Sequence, residues 1–493
     1  MSQKYVISID QSTQSTKVML FDECGRAITS VSRPHQQIVD KNGWVEHNAK
    51  EIRHNVFSLF RSLVQKSGID KQLITGIGIT NQRESVVVWD RETGEPIYNA
   101  IVWQCNRAVG FCERLEKEGK ADFIHQCCGL RLSPYASAPK ITWILHHVEG
   151  AMEKAKTGKL CYGTMECWVI YCLTDGKVHK TDVSNASRTM LVNLSTGQWD
   201  DELCAIFEIP KVGLPEIVDS NAVFGTTTIH GLFARPVPIL GVLGDSHSAL
   251  YAASCTQKGM CMAGMGTGTC VMMNIGQKPI ISQKGLLSSV AWRLSGKTTY
   301  LFDGVINYSG AIITWLYKDL GIVDSPSETE TLAEHANSQD AMYLIPAFTG
   351  IGAPYWDANA NAVICGMSRT TKKAEFVRAA LDSMDYQVKD ILDVMSCESG
   401  NTLQTLKVSG GPTKNRYLMQ FLSDILGCPV EVPENEEMTL QGVALIAGET
   451  AGLDILSKYH MGFHIFSPQM GEEERKRKLD GWKQAIYLAL KRS

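Results

Sequence analysis

Near the N-terminus two short apolar runs, residues 5–9 and 18–21, flank the polar stretch Asp10-Gln11-Ser12-Thr13-Gln14-Ser15-Thr16. A strand, a polar turn and a returning strand predict a hairpin whose turn presents hydroxyls and backbone N–H groups. This feature constrains the whole chain because it recurs in kind. Residues 260–265 run apolar into Gly266-Thr267-Gly268-Thr269 and return as the apolar run 270–274. The two turns share little identity, so they suggest a duplication of plan and not of residues. That plan predicts two similar lobes, each with a small-residue turn facing a common cleft. At 493 residues the chain is too long for one hydrophobic core, in agreement with two. The crossover between lobes is expected at residues 250–259.

The segments between the hairpins alternate in period. Asn48 and Glu51 resemble a capping box, and Ile52, Val56, Leu59, Phe60, Leu63 and Val64 follow at helical spacing. An apolar strand is predicted over 74–80, ending in Asn81-Gln82-Arg83-Glu84. Strands alternating with helices indicate an α/β layer structure. Later come an amphipathic helix over about 374–397, a Gly410-Gly411 turn and a further helix starting near Thr439.

Composition excludes several classes. Hydrophobic content of 44% with 20% charged residues suits a soluble globular protein. A net charge of −4 argues against a nucleic-acid or anionic-membrane partner. The only basic cluster, Arg475, Lys476, Arg477 and Lys478 with Lys491 and Arg492, reads as a solvated helical end. No run of about 18 apolar residues is present, so no membrane span is expected. Residues 1–10 carry no secretory pattern. Fifteen cysteines include no CxxC pair, and Cys172, Cys270 and Cys365 sit in apolar runs as small core residues. Adjacent Cys127 and Cys128 are poorly placed for a strain-free bridge. A reduced, cytoplasmic enzyme is the expectation.

Phosphate chemistry requires a cradle for phosphate oxygens, a carboxylate for a metal ion and a base for the acceptor. The turns 12–16 and 266–269 and Gly410-Gly411 are candidates for the cradle, since small residues let the backbone approach phosphates. Each alone also reads as a plain turn, and neither a GxxxxGK[ST] nor a dinucleotide fingerprint is present. Asp10 closes an apolar strand, and Asp245 follows the apolar run 238–243 in Gly244-Asp245-Ser246-His247. Strand-end carboxylates can reach into a cleft, or simply cap a turn. Arg83 and Glu84 read either as a solvated pair or as donor and acceptor for neighbouring hydroxyls of a polyol. Trp103 and Tyr135 read as core or as an aromatic wall for that ligand.

These residues lie within longer runs. Gly43-Trp44-Val45-Glu46-His47, Gly78 to Glu84, Pro96 to Cys105, Asn185 to Leu191, Pro346 to Asp357, and Gly410-Gly411 with Asn415 together resemble the FGGY carbohydrate kinases over nearly the whole chain. The stretch 362–382 fits the family's C-terminal signature, and 135–147 fits the N-terminal one except at His146. Within the family the resemblance is to the glycerol-phosphorylating branch. It implies two ribonuclease-H-like lobes of the actin and hexokinase type, mixed sheets flanked by helices, with the active site in the cleft between them. Residues 1–253 would form the acceptor-binding lobe with the catalytic base, and 254–493 the nucleotide-binding lobe. The implied cofactors are ATP and Mg²⁺, with Asp10 near the metal and Asp245 as the base. Thr13, Gln14, Thr267, Gly310, Gly411 and Asn415 fall on nucleotide positions. Arg83, Glu84, Trp103, Tyr135, Asp245, Ser246 and Cys270 fall on acceptor positions.

The implied reaction is transfer of phosphate from ATP to a small polyol, glycerol first, giving glycerol 3-phosphate, in a dimer or tetramer. Departures from the family pattern are Ser12 for Gly, Lys17 for Arg, Ser409 for Asp, Ser246 for Gln and Cys270 for Phe. The last two would enlarge the acceptor pocket, so a four- or five-carbon polyol or ketose is the alternative acceptor. His230 and Arg235 match neither regulatory loop seen in the family, and neither control is expected.

Overall fold

The N-terminal hairpin is longer than its apolar residues require. In the computed structural model, which describes residues 3–490, β1 (Tyr5–Gln11) and β2 (Ser15–Asp22) pair antiparallel from Tyr5 opposite Asp22 to Gln11 opposite Thr16. Only Ser12, Thr13 and Gln14 remain in the turn. β3 (Ala27–Pro34) pairs with β2 on the outer side. Lys491 and Arg492, part of the basic tail, lie outside the described residues.

α1 (Ala49–Ser67) begins where predicted. The Asn48 side chain accepts from the N–H groups of Lys50 and Glu51, while Ile52, Val56, Phe60 and Leu63 bury one stripe. The reciprocal half of the capping box is not made, because the Glu51 carboxylate accepts from the Gln36 N–H instead. β4 (Ile74–Asn81) runs parallel to β1. The chain then passes through a smaller sheet that includes Val86–Asp90 and Leu160–Thr164, and through α2 (Ser137–His147) and the short α3 (Val183–Ala186). β5 (Thr226–Thr227) and β6 (Val237–Gly244) return it to the first sheet, and α4 (Asp245–Ala252) follows without a loop. Residues 250–252, at the start of the stretch expected to join the lobes, are the last turn of this helix.

The second half repeats this plan. β7 (Cys261–Met265) and β8 (Thr269–Gly276) form a hairpin, followed by β9 (Leu287–Leu294) and β10 (Lys297–Ile306). α5 (Lys373–Ser399) leads to β11 (Leu406–Ser409), β12 (Val430–Pro433), α6 (Met438–Thr450), β13 (Phe463–Phe466) and α7 (Glu472–Leu490). The strand orders are β5-β6-β4-β1-β2-β3 and β9-β10-β8-β7-β11-β12-β13. In each sheet a hairpin and a third antiparallel strand adjoin two parallel strands: β3-β2-β1-β4-β6 corresponds to β10-β8-β7-β11-β12. The duplication suggested by the two turns is a repeat of topology.

Helices α4 and α6 lie against each other between the lobes. Gly442 permits their close approach, since a Cβ there would fall 2.0 Å from the Ser248 carbonyl oxygen. Around them Leu243, Leu250, Val443, Met262 and Leu301 form one apolar core that joins both sheets. Among the described residues no helix is long and apolar enough to cross a membrane.

Candidate active site

Parallel pairing aligns the C-terminal ends of three strands of the first sheet. Asp10 on β1 lies opposite Thr80 on β4, and Thr80 lies opposite Leu243 on β6. Asp245 follows Leu243 by two residues as the first residue of α4. With strands ~4.8 Å apart, Asp10 and Leu243 are about 10 Å apart across the sheet edge, and Asp245 follows just beyond the strand end. Each carboxylate has one oxygen engaged. Asp10 Oδ2 accepts from the Thr439 hydroxyl (2.8 Å), leaving Oδ1 buried with no hydrogen-bond partner. Burial first, then the negative charges of Asp245 and Glu437, push the Asp10 carboxyl up to about 7. Asp245 Oδ1 accepts from Arg83 Nε (2.9 Å), Ser246 N (2.6 Å) and Ser246 Oγ (3.2 Å), and Oδ2 has no partner among the described residues. The Asp245 side chain is 34% exposed.

Arg83 and Glu84 do not form a solvated pair. Both are buried, and each finds its ion partner elsewhere: Arg83 at Asp245 and Asp303, Glu84 at Arg188. Glu84 has φ 62°, a left-handed conformation that costs a non-glycine residue energy and accumulates at functional sites. The Ser137 hydroxyl, donating to the Glu84 carbonyl (3.1 Å), helps hold this turn. Trp103 and Tyr135 meet edge to face with centroids 5.6 Å apart. The Trp103 indole N–H donates to Thr13 Oγ1 (3.0 Å), which ties the aromatic wall to the turn after β1. Burial, and next the charge of Glu84, raise the Tyr135 phenol well above its ordinary value, so it is a neutral hydroxyl. The Cys270 thiol donates to Asp303 Oδ1 (3.0 Å) and is likewise held protonated, chiefly by burial.

Arg83, Glu84, Trp103, Tyr135, Asp245, Ser246 and Cys270 are thus brought together. Sequence reasoning missed four of their neighbours. Asp303 and Arg188 complete the ion pairs, and Thr439 reaches Asp10 from α6. Lys140 is buried at the start of α2 and donates to the carbonyls of Pro134 (2.8 Å), Tyr135 and Ala136 (2.9 Å), gathering the loop that carries Tyr135. Burial lowers its ammonium to about 7. Asp303 could have been noticed as the one acid in an apolar strand. Lys140 and Arg188 lie inside the family-like runs 135–147 and 185–191.

The second group of residues is built from backbone. Gly264 on β7 lies opposite Ser409 on β11, so the turn 266–269 and Gly410-Gly411 adjoin. The Gly266 carbonyl accepts from Gly310 N (3.0 Å), and the Thr267 carbonyl from Ser309 N and Ala311 N (both 3.0 Å), which brings Gly310 to the same place. Gly410 has φ 108°, and a Cβ on it would fall 1.9 Å from the Met265 carbonyl oxygen; only glycine fits. Gly411 has nothing within 4 Å on its open side. Thr267 and Gln14 are exposed. Asn415 is engaged structurally: Oδ1 accepts from Leu418 N (3.0 Å) and Nδ2 donates to Thr329 Oγ1 (3.2 Å). Such an exposed surface of small residues suits phosphates, and the orphaned Asp10 Oδ1 suits a cation.

Comparison with known proteins follows this division. Residues 5–252 match the N-terminal domain of the FGGY family of carbohydrate kinases, and 261–451 match its C-terminal domain. A glycerol kinase of Listeria monocytogenes serovar 1/2a is 43% identical over 493 residues, 99% of each chain. One from Bacillus velezensis is 43% identical over 491 residues, again 99% of each chain. A crystal structure of Plasmodium falciparum glycerol kinase with ADP superposes with a TM-score of 0.93 at 33% identity, over 99% of this chain and 98% of that one.

Proposed function

We propose that this chain, which belongs to the FGGY family of carbohydrate kinases, transfers phosphate from ATP to glycerol, giving glycerol 3-phosphate. Full-length identity of 43% to glycerol kinases supports the acceptor. The observation that carries the reading is the half-engaged Asp245: Arg83 and Ser246 fix Oδ1, while Oδ2 has no partner among the described residues and the side chain is 34% exposed, so it is free to take a proton.

In this reading the acceptor lies between the Trp103–Tyr135 wall and the buried pair Arg83 and Glu84. Arg83 offers N–H donors and Glu84 a carboxylate, so adjacent hydroxyls are held by groups of opposite hydrogen-bonding sense. Asp245 Oδ2 receives the proton of the attacking hydroxyl. Asp10 would hold Mg²⁺ through Oδ1, with Thr439 fixing its other oxygen. The turns around Thr267, Gly310 and Gly411 would cradle the nucleotide, with Thr13 and Gln14 facing it from the first lobe. When bound, Mg²⁺ neutralises phosphate charge while ATP supplies the transferred group. Exclusion of water by lobe closure would suppress wasteful hydrolysis. The first lobe then presents most of the acceptor site and the second the nucleotide cradle, although Cys270 and Asp303 enter the acceptor site from the second.

The test is an ADP-release assay over glycerol, erythritol, xylitol and small ketoses. Glycerol is expected to give the highest kcat/KM. A longer acceptor in first place would overturn glycerol while leaving the kinase reading intact; no acceptor-dependent ADP release at all would overturn both.

A further inference from the structure

We propose that Asp303 and Arg188 are positioning residues for the phosphoryl acceptor, through which the second lobe fixes Arg83 and Glu84. The inference rests on the acceptor site proposed above. Asp303 sits in the middle of β10, opposite Met272 on β8 and Leu287 on β9, and its side chain is fully buried. A buried carboxylate in an apolar strand is costly unless partners meet it. Both its cationic partners come from the other lobe: Arg83 Nη1 donates to Oδ2 (3.3 Å), and Arg188 Nη1 lies 3.2 Å from the same oxygen, an ion pair without hydrogen-bond geometry. Oδ1 is occupied by the Cys270 thiol. Arg188 then donates from Nε to Glu84 Oε1 (2.6 Å).

The result is an alternating chain, Asp245–Arg83–Asp303–Arg188–Glu84, that enters the second lobe at one point, Asp303. Three of its five members are residues assigned to the acceptor or to the base. Without Asp303, two buried guanidinium groups would face each other with no shared counter-charge. Arg83 would then be free to turn wholly toward Asp245 and Glu84. A separate contact points the same way: Val290 N on β9 donates to Ser187 Oγ (3.2 Å), so the segment next to Arg188 is stitched to the second lobe by its neighbour as well.

Asp303→Asn keeps the shape and removes the charge. It is expected to raise KM for the best acceptor of the panel by about tenfold or more while moving KM for ATP by less than about twofold. In an Arg83→Gln background the same change should add less than about twofold, because the residue acts through Arg83. Arg188→Lys retains the charge and loses the fork between Asp303 and Glu84; it should show the same split to a smaller degree and serves if Asp303→Asn does not fold. Equal rises in both KM values, a lower melting temperature with no split, or full additivity with Arg83→Gln would each overturn the proposal. Wild-type turnover measured on the same panel separates this outcome from failure of the glycerol reading. A wild type with no acceptor-dependent turnover removes the proposal together with the site on which it stands.

Discussion

The two sides of the cleft are made of different materials. On the acceptor side, side chains form the surface, and nearly every charge is buried and paired: Arg83, Glu84, Arg188 and Asp303 are each less than a tenth exposed. On the nucleotide side, backbone forms the surface, with Gly266, Thr267, Gly410 and Gly411 all exposed. The difference matches what each side is proposed to hold. A small neutral polyol is distinguished only by where its hydroxyls point, so donors and acceptors must be rigid before it arrives. A polyphosphate brings its own strong charge and requires mainly close N–H groups and room. The acceptor side should therefore fail through lost charge or geometry of single side chains, and the nucleotide side through added bulk.

The sharpest break is expected at Asp245. Asp245→Asn keeps the bonds that a neutral amide oxygen can accept but removes the proposed base, so kcat should fall by ~10²–10⁴-fold. ADP affinity, measured by calorimetry, should barely move, because Asp245 lies on the acceptor side. Near-wild-type turnover in this variant would remove Asp245 from the mechanism. Gly410→Ala is the reciprocal test. The added methyl meets the Met265 carbonyl and the left-handed φ is strained, which at about 1–3 kcal/mol corresponds to roughly 5–150-fold. That loss should appear in ADP affinity and KM for ATP while KM for glycerol holds. A loss confined to glycerol would contradict the division into two sides.

Legibility in the sequence follows the same line. Turns announce themselves through local composition, so both hairpins and the Gly410-Gly411 turn were readable, as were the strand-end carboxylates Asp10 and Asp245. Strand ends ran longer than the apolar residues suggested because ladder pairing extends into polar Gln11 and Thr16, and Ser15 pairs with Pro34 on β3. What was not readable is what depends on distant pairing. Arg83 meets Asp303 across 220 residues, and Asp10 meets Thr439 across 429. No local pattern specifies such partners, and Arg83 beside Glu84 invites the wrong pairing. The packing of α6, from the second half of the chain, against β1, β4 and β6 of the first sheet was hidden for the same reason.

Asp385 on α5 provides a buried carboxyl group without the acceptor side's network. Neither carboxyl oxygen has a hydrogen-bond partner among the described residues, and burial, with Asp382 nearby, raises the group well above its ordinary value. The folded state therefore keeps a proton that the unfolded chain gives up above about pH 3.8. The penalty is absent below that pH and grows as pH rises toward the folded value. Asp385→Ala should stabilise the protein by about 1–3 kcal/mol at pH 7, an advantage that shrinks as pH falls toward 4. Urea unfolding at both pH values checks this. Destabilisation at pH 7 would mean that the carboxyl is as well accommodated as those around Arg83.

The smallest effect is expected where the lobes are joined by a half-buried pair that water still reaches. Lys17 on β2 donates to Glu437, just before α6, with the two side chains 28% and 34% exposed. Like the Asp303 chain, this contact spans the two halves, but water competes for both groups and holding two long side chains together costs entropy. Such pairs contribute at most ~1 kcal/mol. Glu437→Gln should lower stability by no more than that, and the difference should vanish in 1 M salt, where screening acts within about 3 Å. Asp303→Asn, shielded from ions, should show no such dependence on salt. If the two variants responded alike to salt, burial would not be what separates the links on the two sides of the cleft.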